Sequence, residues 1–391
     1  MSTPEPTQIG VVPGAPFTLP VRHDLQGLKP YGAPQLDVPV RLNVNENPYP
    51  PSQAVCDDIA EAVRAAAATL NRYPDRDFPA LRAALADYLA VESGVRVPPE
   101  QIWAANGSNE VMTQLLQAFG GPGHTVVGFA PTYSMYHEYA RDTNSKWVQG
   151  QRRTDFHLDI AEVERVLWHE RPAVVLIPSP NNPTGTSLTT DEVKRILEIA
   201  KSTGHDDPAH GPAGTPTATL VVIDEAYIEF RRDGVPSTME LLADNPHLVV
   251  SRTMSKAFGM AGLRLGYMAA HPAVIDALML VRLPYHLSAV TQAAALAALS
   301  HRDELMAQIA DMRRDRDDLA AWLTAKGFTV AESDSNFLLF GMFEDRDAVF
   351  QGLLDRGVLI RVVGPPGYLR VSVGTPGENE AFKNALMEVV R

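Results

Sequence analysis

Five short apolar runs, each ending in a cluster of polar residues, most strongly constrain the fold of this 391-residue chain. The runs are IWAANGSNE (102–110), TVVGFAPTY (125–133), AVVLIPSPNNPTG (173–185), TLVVIDEAYIEF (219–230) and HLVVSRTMSK (247–256). Segments with helical periodicity, such as residues 189–202, lie between them. Buried strands that alternate with helices predict an α/β fold whose mostly parallel sheet is covered by helices on both faces. Because such sheets bind ligands at the carboxyl ends of their strands, the polar clusters mark the expected site.

The pattern changes beyond about residue 270. Alanine-rich helical patterns occupy residues 290–327, and SNFLLFGMF, GVLIRVV and GYLRVSV then alternate as antiparallel strands do. We therefore predict a large domain over residues 71–285 and a smaller α+β domain formed by residues 21–70 and 286–391. Residues 1–20 are predicted to be a flexible tail.

Composition excludes several classes of function. The net charge of −13 argues against nucleic-acid or anionic-membrane binding, since both depend on basic surfaces. The single cysteine, Cys56, allows no internal disulfide and favours a reducing compartment. No apolar run is long enough for a membrane span, and residues 1–20 lack the charged and apolar regions of a signal peptide. We expect a cytoplasmic protein.

Lys256 stands at the end of an apolar strand. Most lysines are solvated and have no chemical role, but a desolvated amine loses its proton more easily and becomes a nucleophile. A lysine in this position can form a Schiff base with an aldehyde.

Asp224 ends the neighbouring apolar run. A carboxylate at the end of a buried strand needs a cation or hydrogen-bond donors, which a structural pair or a protonated pyridine nitrogen can supply. Asp224 and Glu225 point to opposite faces if the strand continues, so only one of them can serve the site.

A phosphate cup is predicted where the first strand turns into a helix. Free backbone N–H groups at Gly107, Ser108 and Asn109 favour an anion, although many such turns are only turns. Hydroxyl donors at Thr253 and Ser255 and the cation of Arg264 make the group suitable for a phosphate dianion. A planar phosphorylated aldehyde needs such a cup together with a lysine, an acid and a stacking ring, so the separate hypotheses support one another.

These motifs resemble those of the pyridoxal-phosphate aminotransferases of fold type I, and most closely their histidinol-phosphate branch. The resemblance runs from about Leu19 to the carboxyl terminus. It is carried by LNVNENPYP (42–50), RYPDRD (72–77), ANGSNE (105–110), PTYSMY (131–136), SPNNPTG (179–185), DEAYIEF (224–230), RTMSKAFGMAGLRLGY (252–267) and LRVSVG (369–374). It implies a seven-stranded sheet and pyridoxal 5′-phosphate as cofactor, with no metal.

By this resemblance, Lys256 is the Schiff-base lysine and the proton shuttle between the Cα and C4′ atoms. Asp224 pairs with the pyridine nitrogen, and Asn182 and Tyr227 donate to the phenolic oxygen, Asn182 also contacting substrate. Tyr133 stacks on the ring. Taken alone, the motif around Asn182 is explained equally well as a turn, and Tyr133 and Tyr227 are explained equally well as buried core aromatics.

The resemblance also assigns the phosphate and the substrate. The phosphate is held by Gly107, Ser108, Asn109, Thr253, Ser255 and Arg264. Tyr73 reaches the cofactor phosphate of a neighbouring subunit, which implies an obligatory homodimer. Arg370 binds the substrate α-carboxylate, and Arg361 and Tyr31 help to recognise the phosphate of histidinol phosphate, although surface-facing arginines are the ordinary case. Asn45 and Asn47 lie in a segment that closes over the substrate.

The implied reaction is reversible amino transfer between L-glutamate and imidazole acetol phosphate. The interval between Asn182 and Asp224 is longer than in the family, and an exposed Gly-, Pro- and Asp-rich loop at 203–218 accounts for the surplus.

Alternatives include an aromatic amino-acid aminotransferase, which shares most of these motifs, and a pyridoxal-dependent decarboxylase of phosphothreonine type. A ligand-sensing regulator would need a DNA-binding module, and only about 20 Pro-rich, non-basic residues precede the family match. A nicotinamide dehydrogenase is disfavoured because no G-x-G-x-x-G follows the first strand.

Overall fold

The computed structural model describes residues 20–205 and 217–390. The chain divides into two compact units, Met1–Leu36 and Asp37–Arg391. In the described part of the first unit, the regular element is one 3₁₀ turn at His23–Leu25. The flexible tail predicted over residues 1–20 lies outside the described residues, except for Pro20.

The second unit alternates strands and helices. Its strands are β1 (Val40–Arg41), β2 (Ile102–Ala105), β3 (Thr125–Ala130), β4 (Lys146–Gln151), β5 (Val174–Pro178), β6 (Leu220–Asp224), β7 (Leu248–Thr253), β8 (Gly266–Ala270), β9 (Thr329–Val330), β10 (Phe337–Gly341), β11 (Val358–Leu359) and β12 (Tyr368–Ser372). Its helices are α1 (Gln53–Ala67), α2 (Pro79–Glu92), α3 (Ser108–Phe119), α4 (Met135–Asp142), α5 (Ile160–Glu170), α6 (Thr190–Ala200), α7 (Pro272–Val281), α8 (Ala289–Ser300), α9 (Arg302–Ala307), α10 (Ile309–Ala325), α11 (Arg346–Leu354) and α12 (Pro376–Val389). Within the described ranges, no helix is long and apolar enough to cross a membrane.

The central sheet has the strand order β2-β8-β7-β6-β5-β3-β4. All its pairs are parallel except those of β8, which is antiparallel to both β2 and β7. The apolar runs in the sequence form five of the seven strands, and β4 and β8 complete the sheet. The predicted fold, a mostly parallel seven-stranded sheet with helices, is therefore confirmed.

Local sequence signals explain where several helices begin. The Ser52 side chain accepts the N–H of Val55 at the start of α1. Thr189 and Glu192 form a reciprocal capping box before α6. Gly107 precedes α3 with φ +82°, a conformation that few residues other than glycine adopt.

The carboxy-terminal strands differ partly from expectation. β10 is antiparallel to β12 and β9, as alternation predicts. β11, however, pairs in parallel with β1, so the prediction of an antiparallel strand in GVLIRVV is wrong there. The reason is local: only one antiparallel bridge, between Arg361 and Arg370, joins this segment to β12 before the Gly-Pro-Pro turn at 364–366.

Two hydrophobic clusters dominate the second unit. The larger surrounds the central sheet, and the other lies between the small sheet and helices α10 and α12. Val55 of α1 and Ala295 of α8 belong to the larger cluster, although both fall in the segments predicted to form the smaller domain. The proposed division into domains stays a prediction.

Candidate functional site

The candidate site lies at the carboxyl ends of β2, β6 and β7. The irregular segment 42–49 and residues of β12 contribute hydrogen bonds to the same group of side chains. Parallel strands bring their ends to one edge of a sheet, which is why polar clusters far apart in sequence meet here.

The amine of Lys256 is held inside this group. Its Nζ donates to the carbonyl of Val44 at 2.9 Å and lies 5.8 Å from the ring centroid of Tyr227. Desolvation, followed by the positive charge of Arg370, lowers the pKa of Lys256 from 10.5 to about 8. About a tenth of this amine is therefore neutral and nucleophilic at pH 7, against less than about a thousandth for an ordinary lysine.

The carboxylate of Asp224 is buried at the end of β6. Its Oδ2 accepts the Tyr136 hydroxyl at 2.8 Å, and its Oδ1 accepts the Ser251 hydroxyl at 2.9 Å. Burial raises the pKa of Asp224, while these two donors oppose the rise. Such a carboxyl is suited to a cationic partner that shares its low-dielectric surroundings.

Tyr136 is a site residue that the sequence prediction missed. It is fully buried on α4, and its ring makes an edge contact with Tyr133, with 5.5 Å between the centroids. Nothing in its spacing marks it, because Tyr133 precedes the N-cap Ser134 of α4 and only Tyr136 lies in the helix.

The predicted phosphate cup is a close backbone cradle at the start of α3. A Cβ atom added to Gly107 would lie 2.7 Å from Arg264 Nη2, and one added to Gly266 would lie 2.1 Å from the backbone nitrogen of Ser108. Thr253 pairs with Gly266 across β7 and β8, and its Oγ1 accepts the N–H of Ser255 at 3.1 Å. The structure thus brings together five of the six residues predicted to hold the phosphate, namely Gly107, Ser108, Thr253, Ser255 and Arg264, and adds Gly266, which the sequence prediction missed. Asn109 lies in the first turn of α3.

A second chain of hydrogen bonds joins the side chains predicted to face the ring oxygen and the substrate. Arg370 Nη1 donates to Asn182 Oδ1 at 2.6 Å, and Arg370 Nη2 donates to the carbonyl of Asn43 at 2.9 Å. The Tyr227 hydroxyl accepts from Asn45 Nδ2 at 3.0 Å and from Asn182 Nδ2 at 3.5 Å. These hydrogen bonds hold the side chains of Arg370, Asn182 and Asn45 in place.

The other predicted residues have varied positions. Asn47 Nδ2 donates to the carbonyl of Ala257 at 3.1 Å, next to Lys256. Arg361 lies opposite Arg370 in the antiparallel bridge. Tyr31 belongs to the first unit, where its side chain is exposed.

Tyr73 is not drawn into the site of its own chain. Its side chain is 80% exposed, and its ring stacks on that of Tyr285 with the centroids 4.5 Å apart. Leu280, in the last turn of α7, and Leu283, two residues beyond its end, are also largely exposed. Arg282 joins the two segments by donating to the carbonyl of Arg76 at 2.6 Å. We call Tyr73, Leu280, Leu283 and Tyr285 the exposed apolar patch.

Comparison with known proteins identifies relatives over nearly the whole chain. The family model for aminotransferases of class I and II matches residues 38–386. The histidinol-phosphate aminotransferase of Bifidobacterium longum is 55% identical, with 96% of this chain and 98% of that protein covered. That of Thermobifida fusca is 56% identical, with 94% and 95% covered.

Solved structures agree. The histidinol-phosphate aminotransferase of Sinorhizobium meliloti in complex with pyridoxal 5′-phosphate has a TM-score of 0.77 and 25% identity, covering 90% of this chain and 91% of its own. A mutant aspartate aminotransferase of Thermus thermophilus has a TM-score of 0.75 and 25% identity, covering 94% and 98%.

Proposed function

The chain belongs to the aminotransferases of class I and II, and we propose that it exchanges an amino group between L-glutamate and imidazole acetol phosphate. The products are 2-oxoglutarate and L-histidinol phosphate, as in histidine biosynthesis. The observation that carries the proposal is the meeting of Lys256 and Asp224 at adjacent strand ends in a chain 55% identical to a histidinol-phosphate aminotransferase. We also propose that the protein acts in the cytoplasm.

The residues present fit pyridoxal 5′-phosphate. The Lys256 amine has a lowered pKa, and the buried Asp224 carboxyl suits a protonated ring nitrogen. The cradle at Gly107 and Gly266 has no room for a Cβ atom, as close approach of an anion to the backbone requires. When bound, the cofactor supplies an electron sink for the electrons released at the substrate Cα atom.

Lys256 would hold the cofactor and then move the proton. Its neutral Nζ would take the proton from the substrate Cα and deliver it to the C4′ atom, and the reverse transfer would operate in the opposite direction of the reaction; a pKa of about 8 suits both near neutral pH. Asp224, oriented by Tyr136 and Ser251, would keep the ring nitrogen protonated.

The remaining side chains would bind and orient. Asn182 and Tyr227 would donate to the ring's phenolic oxygen, and Tyr133 would stack on the ring. The phosphate would be held by Gly107, Ser108, Asn109, Thr253, Ser255 and Arg264. Arg370 would bind the α-carboxylate through its planar guanidinium, and Arg361, Tyr31 and Asn45 would contact the rest of the substrate.

The exposed apolar patch supports a homodimer. Exposed apolar side chains in and just after the last turn of α7 are typical of protein contacts, and the ring of Tyr73, stacked on Tyr285, is 80% exposed on its own chain. We propose that a second copy covers the patch and receives Tyr73 at its cofactor phosphate.

The experiment that tests the function compares two amino donors. Purified enzyme loaded with pyridoxal 5′-phosphate is assayed with 2-oxoglutarate and either L-histidinol phosphate or L-phenylalanine. We expect kcat/KM for histidinol phosphate to exceed that for phenylalanine at least about 100-fold, as for sites built around a charged group. Equal values would establish the aromatic aminotransferase instead. Lys256→Ala is the negative control and should lose activity about 10³-fold or more.

A further inference from the structure

A cluster of buried charges lies behind the candidate site, on the opposite face of the same two strands. Asp224 and Ser251 face the site, whereas their neighbours Glu225 and Arg252 face away and bond to each other through Arg252 Nε at 2.8 Å. Successive side chains of a strand alternate in this way. We call Arg252, Glu225, Glu229 and Glu92 the buried ionic cluster.

Arg252 is the centre of this cluster. It is completely buried, and it donates to Glu92 Oε2 at 2.8 Å, to Glu229 Oε1 at 3.3 Å and to the Ser237 hydroxyl at 3.0 Å, besides its bond to Glu225. One guanidinium therefore joins the end of α2, the ends of β6 and β7 and the turn after β6.

Glu225 extends the connection. Its carboxylate accepts the N–H of Thr238 at 2.6 Å, the Thr238 hydroxyl at 2.7 Å and the Ser237 hydroxyl at 2.9 Å. Together with Arg252, these donors satisfy the hydrogen-bonding capacity of the Glu225 carboxylate, which is only 1% exposed. Removing the guanidinium would leave buried acceptors without their charged partner.

Members of the cluster stand close in sequence to proposed cofactor residues. Glu225 follows Asp224, and Glu229 lies in the 3₁₀ turn directly after Tyr227. Arg252 lies between Ser251 and Thr253 in β7, four residues before Lys256. A shift of the cluster must therefore move the side chains that contact the ring and the phosphate.

The charges in the cluster are finely balanced. Three carboxylates, those of Glu92, Glu225 and Glu229, contact Arg252. A second cation, Arg231, contacts Glu92. Desolvation raises the pKa of Glu229 to about 7, so this carboxyl carries only part of a charge at neutral pH. The Tyr88 hydroxyl donates to it at 3.1 Å. Of the other two carboxylates, Glu92 is shared with Arg231, so Glu225 depends most on the positive charge of Arg252.

We propose that Arg252 is a positioning residue for the cofactor, whose ion pairs fix the ends of β6 and β7 so that Asp224 and Lys256 act on the same ring. The inference deepens the proposed function and rests on its assignment of these two residues to the cofactor. Its physical basis is that catalytic groups must be held within a fraction of an ångström by supporting contacts.

The test uses Arg252→Gln with a matched control, Arg316→Gln. Arg316 is another buried arginine, 1% exposed, which donates to the carbonyls of Phe230 and Ser335 and to Asp317. Each variant is purified loaded with pyridoxal 5′-phosphate. The equilibrium dissociation constant of the cofactor is measured by dialysis, and the visible circular dichroism per bound cofactor is recorded, because this band depends on how the ring is held.

We expect Arg252→Gln to bind the cofactor at least about tenfold more weakly, with a changed visible band and a lower kcat but little change in KM. Arg316→Gln should lose thermal stability yet keep cofactor affinity within about twofold, because its contacts do not involve β6 or β7. If Arg252→Gln retains affinity and band while losing as much stability as Arg316→Gln, the cluster only stabilises the fold and the proposal is overturned.

A second pair keeps the proposal testable if Arg252→Gln does not fold. Arg252→Lys retains the charge but not the planar fork, and Arg316→Lys is its control. The same difference in cofactor affinity and visible band is expected, and its absence would refute the positioning role. Neither readout uses an amino donor, so a wrong substrate assignment leaves the result interpretable.

Discussion

The lowered pKa of Lys256 predicts how fast the cofactor-free enzyme captures pyridoxal 5′-phosphate at different pH values. Only the neutral amine attacks an aldehyde. A change in pKa from 10.5 to about 8 increases the neutral fraction at pH 7 by about 300-fold. We expect the capture rate, relative to that of Nα-acetyl-lysine, to show this excess at pH 7 and to lose it as the pH rises towards 10.

The assay is stopped-flow absorbance after mixing cofactor with cofactor-free enzyme between pH 6 and 10. Dividing by the rate of the free lysine derivative cancels the ionisation of the cofactor itself. Below about pH 8, both neutral fractions rise about tenfold per pH unit, so the ratio of the two rates should be constant and high. Above about pH 8 the neutral fraction of Lys256 levels off, so the ratio should fall by about tenfold per pH unit; a ratio that stays constant to pH 10 would refute the pKa assignment.

Two arginine variants separate the causes of the lowered pKa. The positive charge of Arg370 is the largest influence after desolvation, so Arg370→Gln should raise the pKa of Lys256 and move the curve to higher pH. Arg361→Gln is the matched control, because Arg361 is not among the charges that act on Lys256. Equal displacement of both curves would show that local charge at Arg370 is not the cause.

Three further predictions concern single contacts. Tyr136→Phe removes a charge-assisted donor to Asp224, worth about 1.5–3 kcal/mol, so cofactor affinity in equilibrium dialysis should fall about 10- to 100-fold, while Tyr139→Phe on the same helix leaves it unchanged. Gly107→Ala places a Cβ against Arg264 and strains a residue at φ +82°, so it should weaken binding of pyridoxal phosphate but not of pyridoxal; equal weakening of both would contradict the phosphate assignment. Replacing residues 206–216 by a short Gly-Ser linker should leave kcat/KM within about twofold, since Gly204 N–H donates to Thr217 O at 2.9 Å and the loop ends are already joined; loss of activity would reveal a role for this segment.

The sequence was sufficient for the parts of the molecule that depend on local pattern. The Val- and Ile-rich runs predict strands that are buried on both faces of the sheet. The polar residues that end each run predict that the site lies at the carboxyl ends of these strands. The opposite directions of Asp224 and Glu225 also follow from strand geometry alone, and the hydrogen bonds of both carboxylates show it.

The parts that depend on contacts between distant segments could not be read in this way. Tyr136 in a helix is indistinguishable from a core aromatic until Asp224, 88 positions later, is placed beside its hydroxyl. Arg252 and Glu92 are 160 positions apart, and no periodicity relates them. The strand β11 pairs with β1 because pairing depends on which strand edge is free in the folded protein. That property cannot be read from the sequence of the segment itself.

The position of β8 in the central sheet has a consequence for synthesis of the chain. Strands β3 to β7 can pair with one another as they leave the ribosome, but β8 is the only strand within the described residues that pairs with β2, and β8 is made more than 150 residues later. Non-local pairing of this kind delays folding and leaves an exposed strand in the meantime. Because Gly266 of β8 forms the wall behind Ser108, the cradle at the start of α3 is incomplete on a nascent chain until β8 has emerged. Cofactor added during translation should therefore protect only chains that extend beyond β8.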